Sequence, residues 1–369
     1  MEKNIRFIVF MGVVSLFADM SYEGARSISG AYLATLGISA ALLGFFIGLG
    51  EFLCYSLRIP FGYLTDKSSS YWFFTFSGYI LIFSIPLIAF TESWEIVIVL
   101  LILERIGKAL RTPARDTIIS FATSKIGTGK AFGIHEALDQ IGAVLGPLII
   151  FLILYIGYGY KESFLFLFFP SLLAVIFLYL AKKEFKFEVS EKIVLLRGSL
   201  NFYLLFTLFS ISGLVNFQLI AFHLENKAIF GREMIPVLYA MAMGVDAISA
   251  LVSGRMYDRF GLKTLFAVPL LTPLSVSLSF SFPPLGIFLF GIILGMQESV
   301  MRAAIASVSE AKKRATAYGV FNTVMGFGFF LGGIAFGFLY PDLQLMTLYS
   351  ILCEILAIVF LIKVMENKS

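Results

Sequence analysis

The amino-acid sequence predicts an all-α membrane protein with about 12 transmembrane helices in two pseudo-symmetric six-helix bundles. Three observations predict this fold class: the composition, a succession of apolar stretches of membrane-spanning length, and an internal repeat. Hydrophobic residues form 59% of the 369 residues, charged residues form 14%, and the mean hydropathy is +0.91. A water-soluble domain carries roughly 25% charged residues. A chain this apolar therefore needs lipid around it.

The apolar stretches are each long enough to cross a bilayer, which takes about 20 mostly apolar residues in a helix. Turn-forming or charged residues separate them, as at Gly37, Asp66 and Pro341. Lys3 and Arg6 precede the first stretch as in a signal peptide, but no small-residue cleavage site follows, and we predict an uncleaved first span. The twelve predicted spans cover residues 6–35, 40–65, 70–90, 94–116, 129–157, 162–181, 198–224, 234–256, 262–281, 285–307, 315–340 and 343–363.

The basic residues of the loops predict the orientation, because cytoplasmic loops of membrane proteins are rich in Lys and Arg. With the N-terminus inside and an even number of spans, nearly all loop bases fall on the cytoplasmic side. Only Lys161, Lys227 and Arg232 fall outside. We therefore predict a multi-pass protein of the plasma membrane with both termini in the cytoplasm.

An internal repeat divides the chain near its middle. A basic loop over residues 182–197 separates a predicted N-terminal bundle, 1–181, from a predicted C-terminal bundle, 198–369. The two parts carry matching residues in the same order, which indicates duplication. The matches are Asp66 with Asp258, Arg115 with Arg302, Gly133 with Gly319, Gly142 with Gly328, and Gly146 with Gly332.

A short charged loop follows the second span and recurs after the eighth. Its two copies consist of Gly62, Asp66 and Lys67, and of Gly254, Asp258 and Arg259. This pattern resembles the signature loop of the major facilitator superfamily, although the first copy departs from it after Lys67. The resemblance implies six-span bundles that face a central cavity and rock to alternate access. We expect the glycines to let helices approach closely and the aspartates to latch one conformation, the alternative being an ordinary charged turn.

The fifth predicted span holds Gly142, Gly146 and Pro147 in the order Gly-x-x-x-Gly-Pro. This segment resembles a motif of the superfamily's drug:proton antiporters, in which the glycines allow tight helix contact and the proline bends the helix. In the fourth span, Glu104 and Arg105 resemble the arginine motif of those exporters only loosely, because the spacing differs.

Four acidic residues lie near the middle of predicted spans: Asp19, Glu51, Glu104 and Asp139. A charge at that depth costs about 2.5–3.5 kcal/mol on insertion scales, so each is a functional candidate. Helical spacing places three residues, Asp19, Glu23 and Arg26, on one face of the first span. His135, Asp139, Gly142 and Gly146 share a face of the fifth span in the same way.

Two interpretations of these charges stand side by side. In the functional one, Asp19 or Asp139 exchanges a proton while Arg105 supplies a switchable counter-charge. In the structural one, the charges form permanent ion pairs. The second half is poorer in charge, which suggests that the first half handles the coupling ion. The candidate residues for coupling and the substrate cavity are Asp19, Glu23, Arg26, Glu51, Glu104, Arg105, Lys108, His135, Glu136, Asp139, Gln218, Asp246, Gln297 and Asn322.

The predicted function is secondary active transport of a small molecule by alternating access, as proton-coupled efflux. Proton-coupled uptake or uniport of a small metabolite, which an anion-binding set of Arg26, Arg105 and Lys108 would suit, is the alternative. A membrane-embedded enzyme fits less well, because the sequence has no nucleophile motif or metal-binding motif. A non-transporting receptor fits less well, because it usually requires an extra soluble domain or a long tail. The sequence has no nucleotide-binding loop, so we expect an ion or substrate gradient rather than ATP to drive transport. We expect the bilayer, the substrate and a proton or other coupling ion as partners, with no cofactor, metal or nucleic acid, and a monomer.

Overall fold

The computed structural model describes residues 3–122, 128–184, 201–308 and 314–366. These residues form helices that are joined by short turns. The helices of the first half are α1 Lys3–Thr35, α2 Ala40–Ser56, α3 Arg58–Ser68, α4 Tyr71–Ile80, α5 Ser84–Leu87, α6 Trp94–Ala122, α7 Thr128–Tyr155, α8 Tyr160–Phe166 and α9 Phe168–Glu184. Those of the second half are α10 Asn201–Ser212, α11 Phe217–Asn226, α12 Met234–Phe260, α13 Ala267–Ser281, α14 Pro283–Met296, α15 Arg302–Val308, α16 Arg314–Leu339 and α17 Leu343–Glu366.

These helices supply the predicted number of membrane spans within the described residues. Ten helical stretches are long and apolar enough to cross a bilayer, and the 48-residue stretch Met234–Ser281 contains two helices, α12 and α13. The 29-residue helix α6 is also long enough, but it carries more charge than the others. Counted in this way, the fold has twelve spans, as the sequence predicts.

Several spans are interrupted rather than continuous. The second consists of α2 and α3, the sixth of α8 and α9, and the seventh of α10 and α11. In the tenth span, a π-helical turn over Gln297–Met301 separates α14 from α15. Such turns are frequent at functional sites because they change the direction of side chains along a helix.

The first of two compact units comprises Met1–Gly37, Leu57–Glu191 and Ala228–Ala240. Within it α1 packs most extensively against α7 and also against α9 and α6. The second unit comprises Ile38–Ser56, Lys192–Lys227 and Met241–Ser369. There α2 packs against α16, and α10 lies against both α16 and α17.

The compact units and the halves of the sequence repeat are divided differently. By contacts, α2 groups with helices of the second half, and the start of α12 groups with helices of the first. The boundaries at 181 and 198 therefore remain a prediction about the repeat. The predicted linker 182–197 lies outside the described residues from 185 onward.

Glycines bring α7 and α1 into direct backbone contact. A Cβ on Gly142 would lie 2.2 Å from the Leu16 carbonyl oxygen, and one on Gly146 would lie 2.4 Å from the Met20 carbonyl oxygen. Small residues at such crossings are the usual means by which membrane helices pack closely. This contact aligns the polar faces of the two helices.

The second unit repeats this contact with the corresponding helices. A Cβ on Gly328 in α16 would lie 3.1 Å from the Leu208 carbonyl oxygen, and one on Gly332 would lie 2.8 Å from that of Ser212. Leu208 and Ser212 are one helical turn apart in α10, as Leu16 and Met20 are in α1. The same register of glycines on carbonyls in both units supports the duplication that the sequence indicates.

Candidate functional site

Two acidic side chains meet where α1 crosses α7. Asp19 is 7% exposed, and its carboxyl group lies beside that of the half-buried Asp139. Two ionised carboxylates at close range repel each other, and a hydrogen bond between them requires a proton on one. This arrangement is therefore suited to holding one proton.

A lysine and a tyrosine complete this acidic site. The Lys108 ammonium acts electrostatically on both Asp19 and Asp139. It donates a hydrogen bond to the Tyr22 hydroxyl and lies 3.8 Å from the centre of the Tyr22 ring. Arg105 lies over the same ring, with 4.8 Å between its Cζ atom and the ring centre. An aspartate pair with one proton carries one negative charge, which Lys108 balances.

Glu104 is held by two guanidinium groups of its own helix. Arg105 approaches Glu104 Oε2 at 2.5 Å through an Nη atom, and Arg111 approaches Oε1 at 3.3 Å. Arg111 is 2% exposed and also donates to the Gly78 carbonyl oxygen at 3.3 Å. The structural interpretation, a permanent ion pair, therefore fits Glu104 better than proton exchange does.

Towards the start of α7, a histidine and an arginine share one hydroxyl. The Ser15 Oγ atom lies 3.0 Å from His135 Nε2 and 3.3 Å from an Nη atom of Arg115. Arg115 also binds Asp116 at 2.9 Å. His135 is one helical turn from Asp139, so these groups extend the polar face from the aspartate pair along α7.

Glu23 lies one turn further along α1 from Asp19. The Tyr239 hydroxyl, at the start of α12 and in the same compact unit, donates to Glu23 Oε2 at 2.5 Å. Arg26 is more loosely associated, with 3.9 Å between its guanidinium and Glu23 Oε1. A polar surface thus runs along α1 from Ser15 to Arg26.

Comparison with known proteins identifies the family. Residues 9–333 match the Major Facilitator Superfamily. The chain belongs to this superfamily. It is 37% identical over 377 residues to an uncharacterised protein of Mycobacterium tuberculosis, a match that covers 96% of this chain and 92% of that protein. An uncharacterised MFS-type transporter of Methanocaldococcus jannaschii is 29% identical over 367 residues, covering 94% of this chain and 91% of the relative.

Solved structures of superfamily members share the fold. The nucleoside transporter NupG matches with a TM-score of 0.72 at 15% identity, covering 99% of both chains. A D-xylose-proton symporter matches with a TM-score of 0.70 at 14% identity, covering 96% of both. The all-α membrane fold predicted from the sequence is confirmed. Membership of the superfamily makes the protein a multi-pass membrane transporter of a small molecule.

The structure brings together most of the acidic and basic residues predicted in the first half. Glu51 is different, because α2 belongs to the other compact unit, where this side chain is 6% exposed. Glu136 is exposed, and its predicted place in the cavity stays a prediction. It follows His135 directly, and the face of α7 that packs on α1 is occupied by His135, Asp139 and the glycines. Arg105, predicted as counter-charge to the aspartates, binds Glu104, whereas Lys108 acts on both aspartates.

The polar residues predicted in the second half are largely buried in the second unit. Gln218, Asp246 and Gln297 are 5%, 3% and 1% exposed, and Asn322 is half-buried. Gln297 begins the π-helical turn. A Cβ on Gly295 would lie 2.4 Å from the Asp246 carbonyl oxygen, so the helices carrying Asp246 and Gln297 pack closely.

The residues predicted to form a latch lie near the C-terminal ends of α3 and α12. The charged side chains of both copies are exposed, namely those of Asp66, Lys67, Asp258 and Arg259. Asp66 accepts a hydrogen bond from the Tyr71 hydroxyl at 3.3 Å. Gly62 packs against Pro113, with 3.6 Å between the Pro113 Cβ atom and the site of an added Cβ. No atom lies within 4 Å of an added Cβ on Gly254, so the close helix approach predicted there is wrong for this structure.

Sequence reasoning did not include Ser15, Tyr22, Arg111 and Tyr239 among the site residues. Arg111 follows Glu104 by two helical turns and Ser15 precedes Asp19 by one, so helical spacing was available as a signal for both. Tyr22 adjoins the predicted Glu23 but carries no charge. Tyr239 is distant in the chain, and no pattern in the sequence connects it with Glu23.

Proposed function

We propose that this superfamily member is a proton-coupled transporter that exports a small molecule, with Asp19 and Asp139 as its proton-binding pair. The observation that carries the proposal is the close approach of these two carboxyl groups to each other beside Lys108. Two carboxylates this close favour one shared proton, whereas Glu104 is neutralised by arginines.

The coupling step follows from the charge balance of this site. With one proton the pair and Lys108 are neutral together, and a buried site is most stable in that state. If Lys108 moves away from the aspartates, the second carboxyl group favours protonation. If Lys108 stays and the site opens to water, the shared proton is released more readily. Rocking of helices around α1 would thus load and unload a proton.

A division of labour between the two halves supports the same proposal. The repeated glycine contacts pair Asp19 with Ile211, Asp139 with Met325, and His135 with Phe321 at equivalent positions. The proton-binding residues are thus replaced by apolar ones in the second half. We infer that the second half contributes more of the contacts to an apolar part of the substrate.

The test is proton flux in proteoliposomes that contain the purified protein and a pH-sensitive dye. Ethidium serves as a first substrate probe, and the screen then extends to other amphiphilic cations and to small anions, each at two pH values. We expect substrate-dependent proton flux in the wild type and at least a tenfold loss of it in Asp19→Asn and Asp139→Asn. The control is Glu95→Gln at the exposed start of α6, which should transport normally. Unchanged proton flux in both asparagine variants would refute the proposal.

Uptake of an anionic metabolite is the second candidate function. Arg26 favours it, because its side chain is 24% exposed and its guanidinium lies 3.9 Å from Glu23 Oε1, at the outer limit of an ion pair. Everted membrane vesicles distinguish the two functions by direction. If the protein exports, the substrate should accumulate inside everted vesicles when a proton gradient is imposed. If the protein takes up its substrate, the substrate should accumulate in right-side-out vesicles and not in everted ones.

We also infer that the protein resides in the plasma membrane as a monomer with both termini in the cytoplasm. The distribution of Lys and Arg among the loops supports the orientation. A labelling experiment that tests it is given in the Discussion.

A further inference from the structure

One buried acid, Glu354 in α17, lies in the second compact unit, far along the chain from the acids of α1 and α7. It is 2% exposed. The two helices that pack beside it, α10 and α13, contain no charged residue, and α16 contains only Arg314, its first residue. The other titratable side chains on the elements that pack with α17, and on α17 itself, are Tyr203, Tyr318, Lys263, Tyr349, Cys353, Lys363 and Glu366.

None of these groups supplies a counter-charge to Glu354 among the described contacts. Lys363 is more than two helical turns away on α17 and lies over the rings of Phe202 and Phe360. An ionised carboxylate without a cation in an apolar surrounding is strongly destabilised. The surroundings of Glu354 therefore favour its neutral form.

The Glu354 carboxyl group lies against the interruption of the seventh span. Its Oε1 atom is 2.6 Å from where a Cβ on Gly213 would be, so the carboxyl group contacts bare backbone. Gly213 follows the last residue of α10, and Asn216 caps α11 by accepting a hydrogen bond from the Leu219 amide at 2.9 Å. One turn before Glu354, the Ser350 hydroxyl donates to the Gly213 carbonyl oxygen at 2.8 Å.

No polar group donates a hydrogen bond to this carboxyl group among the described residues. Both Oε atoms of Glu354 are buried without a hydrogen-bond partner. The hydrogen of the nearby Thr272 hydroxyl is donated to the Val268 carbonyl oxygen at 2.8 Å, so a hydrogen bond between Thr272 and Glu354 would need a proton on the carboxyl group. The C-terminal end of α10 adds carbonyl dipoles whose negative ends disfavour a carboxylate.

The internal repeat indicates that this contact is specific to the second half. The repeated glycine contacts pair Gly213 with Ser21 in α1, whose hydroxyl group is hydrogen-bonded to that of Ser171 in α9 at 2.9 Å. There α1 continues as one helix through Ser21. In the second half a glycine stands at the position of Ser21, a glutamate of α17 lies against it, and the helix is interrupted at that glycine. The buried acid and the interruption thus coincide.

We infer that Glu354 is a second proton-binding site, located in the second unit, which holds the two parts of the seventh span together while it carries its proton. Loss of the proton would place a negative charge against the carbonyl end of α10 and release the segment 213–216. The ligand is a proton. This site does not depend on Asp19 or Asp139.

Infrared difference spectroscopy of the reconstituted protein tests the inference without a transport assay. The spectrum of the wild type minus that of Glu354→Gln at neutral pH should contain the C=O band of a protonated carboxyl group, shifted in deuterated water. The matched control is Glu366→Gln at the exposed end of α17, which should remove carboxylate bands only. The same band should appear when Glu354→Gln is compared with Glu354 in a protein that also carries Asp19→Asn and Asp139→Asn, which separates this site from the first. The inference would be overturned if Glu354→Gln removed carboxylate bands instead, or if the difference spectrum changed with the sodium concentration.

Hydrogen–deuterium exchange gives a second measurement at the seventh span. At a pH high enough to deprotonate Glu354, exchange of the peptide containing residues 213–216 should rise several-fold in the wild type, beyond the intrinsic effect of pH. It should not rise in Glu354→Gln, because glutamine keeps the shape and neutrality of the protonated acid. Failure of Glu354→Gln to fold, or equal exchange in both proteins, would contradict the inference.

Discussion

At the scale of single residues, the buried charges of the first unit fall into two chemical classes. Glu104 is bound by Arg105 and Arg111, which makes a compact ion cluster within one helix. Asp19 and Asp139 lie side by side, and two carboxyl groups this close favour one shared proton. Acidic side chains therefore serve stability in one place and are suited to proton exchange in the other, because the neighbours differ.

The first prediction concerns Glu104. Replacing it with glutamine leaves two guanidinium groups without their carboxylate, and Arg111 is almost fully buried. Loss of one partner of a buried ion pair destabilises proteins by about 3–5 kcal/mol. We expect Glu104→Gln to lower the thermal unfolding temperature in detergent markedly. Glu95→Gln, at the exposed start of the same helix, should leave it unchanged, and equal stability of both variants would show that the cluster is not structural.

The second prediction concerns Tyr239 and its hydrogen bond with Glu23. Tyr239→Phe removes only the hydroxyl group, and with it the hydrogen bond to the buried Glu23 carboxylate, which Arg26 approaches at 3.9 Å. A hydrogen bond to a charged group contributes about 1.5–3 kcal/mol. We expect weaker transport in Tyr239→Phe with little change in the amount of folded protein. Wild-type transport would exclude Tyr239 from the working site.

At the scale of elements, glycine contacts decide how the helices pair. The α1–α7 crossing and the α10–α16 crossing use glycines one turn apart against backbone carbonyl groups. The α2–α16 crossing is similar, since a Cβ on Gly44 would lie 2.2 Å from the Gly333 carbonyl oxygen. Lipid tails are as apolar as the side chains, so burial of apolar side chains contributes little to the association of helices in a bilayer. Close packing of backbones is therefore a main source of helix association.

The third prediction is that Gly142→Ala disturbs the α1–α7 crossing. The added methyl group would lie 2.2 Å from the Leu16 carbonyl oxygen, and a backbone atom cannot move aside cheaply. Overpacking of this kind costs about 1–3 kcal/mol. The variant should unfold at a lower temperature and lose proton coupling as Asp139 shifts from Asp19. Gly133→Ala on the same helix has open space around its Cβ and is the matched control.

At the scale of the whole molecule, the distribution of basic residues among the loops and the internal duplication of the sequence predict the topology. The described residues provide twelve spans, so both termini lie on one side of the membrane. Each unit repeats the same helix contacts, while the buried charges are concentrated in the first. We propose that this difference in buried charge between two similarly packed units separates proton binding from substrate contact.

The fourth prediction tests the orientation with single cysteines. Cys54 and Cys353 are both buried and should react little with a membrane-impermeant maleimide. In intact cells Glu92→Cys should be labelled, and Lys67→Cys should be labelled only after the membrane is opened. The opposite pattern would reverse the predicted topology.

The sequence by itself determined the fold class, the number of spans and the repeat, because hydropathy and chain length are local properties that lipid selects directly. It also placed Asp19 and Glu23 on one face of α1, and His135 and Asp139 on one face of α7, since helical spacing fixes which side chains share a face.

Only the tertiary structure decided which of these faces meet. The approach of Asp19 to Asp139 and the contact of Glu354 with Gly213 depend on contacts between helices far apart in the chain. A carboxyl group's behaviour is set by its neighbours' charges and by its access to water, and neither is encoded near it in the sequence. For that reason four acids that look alike in the sequence differ in the folded protein.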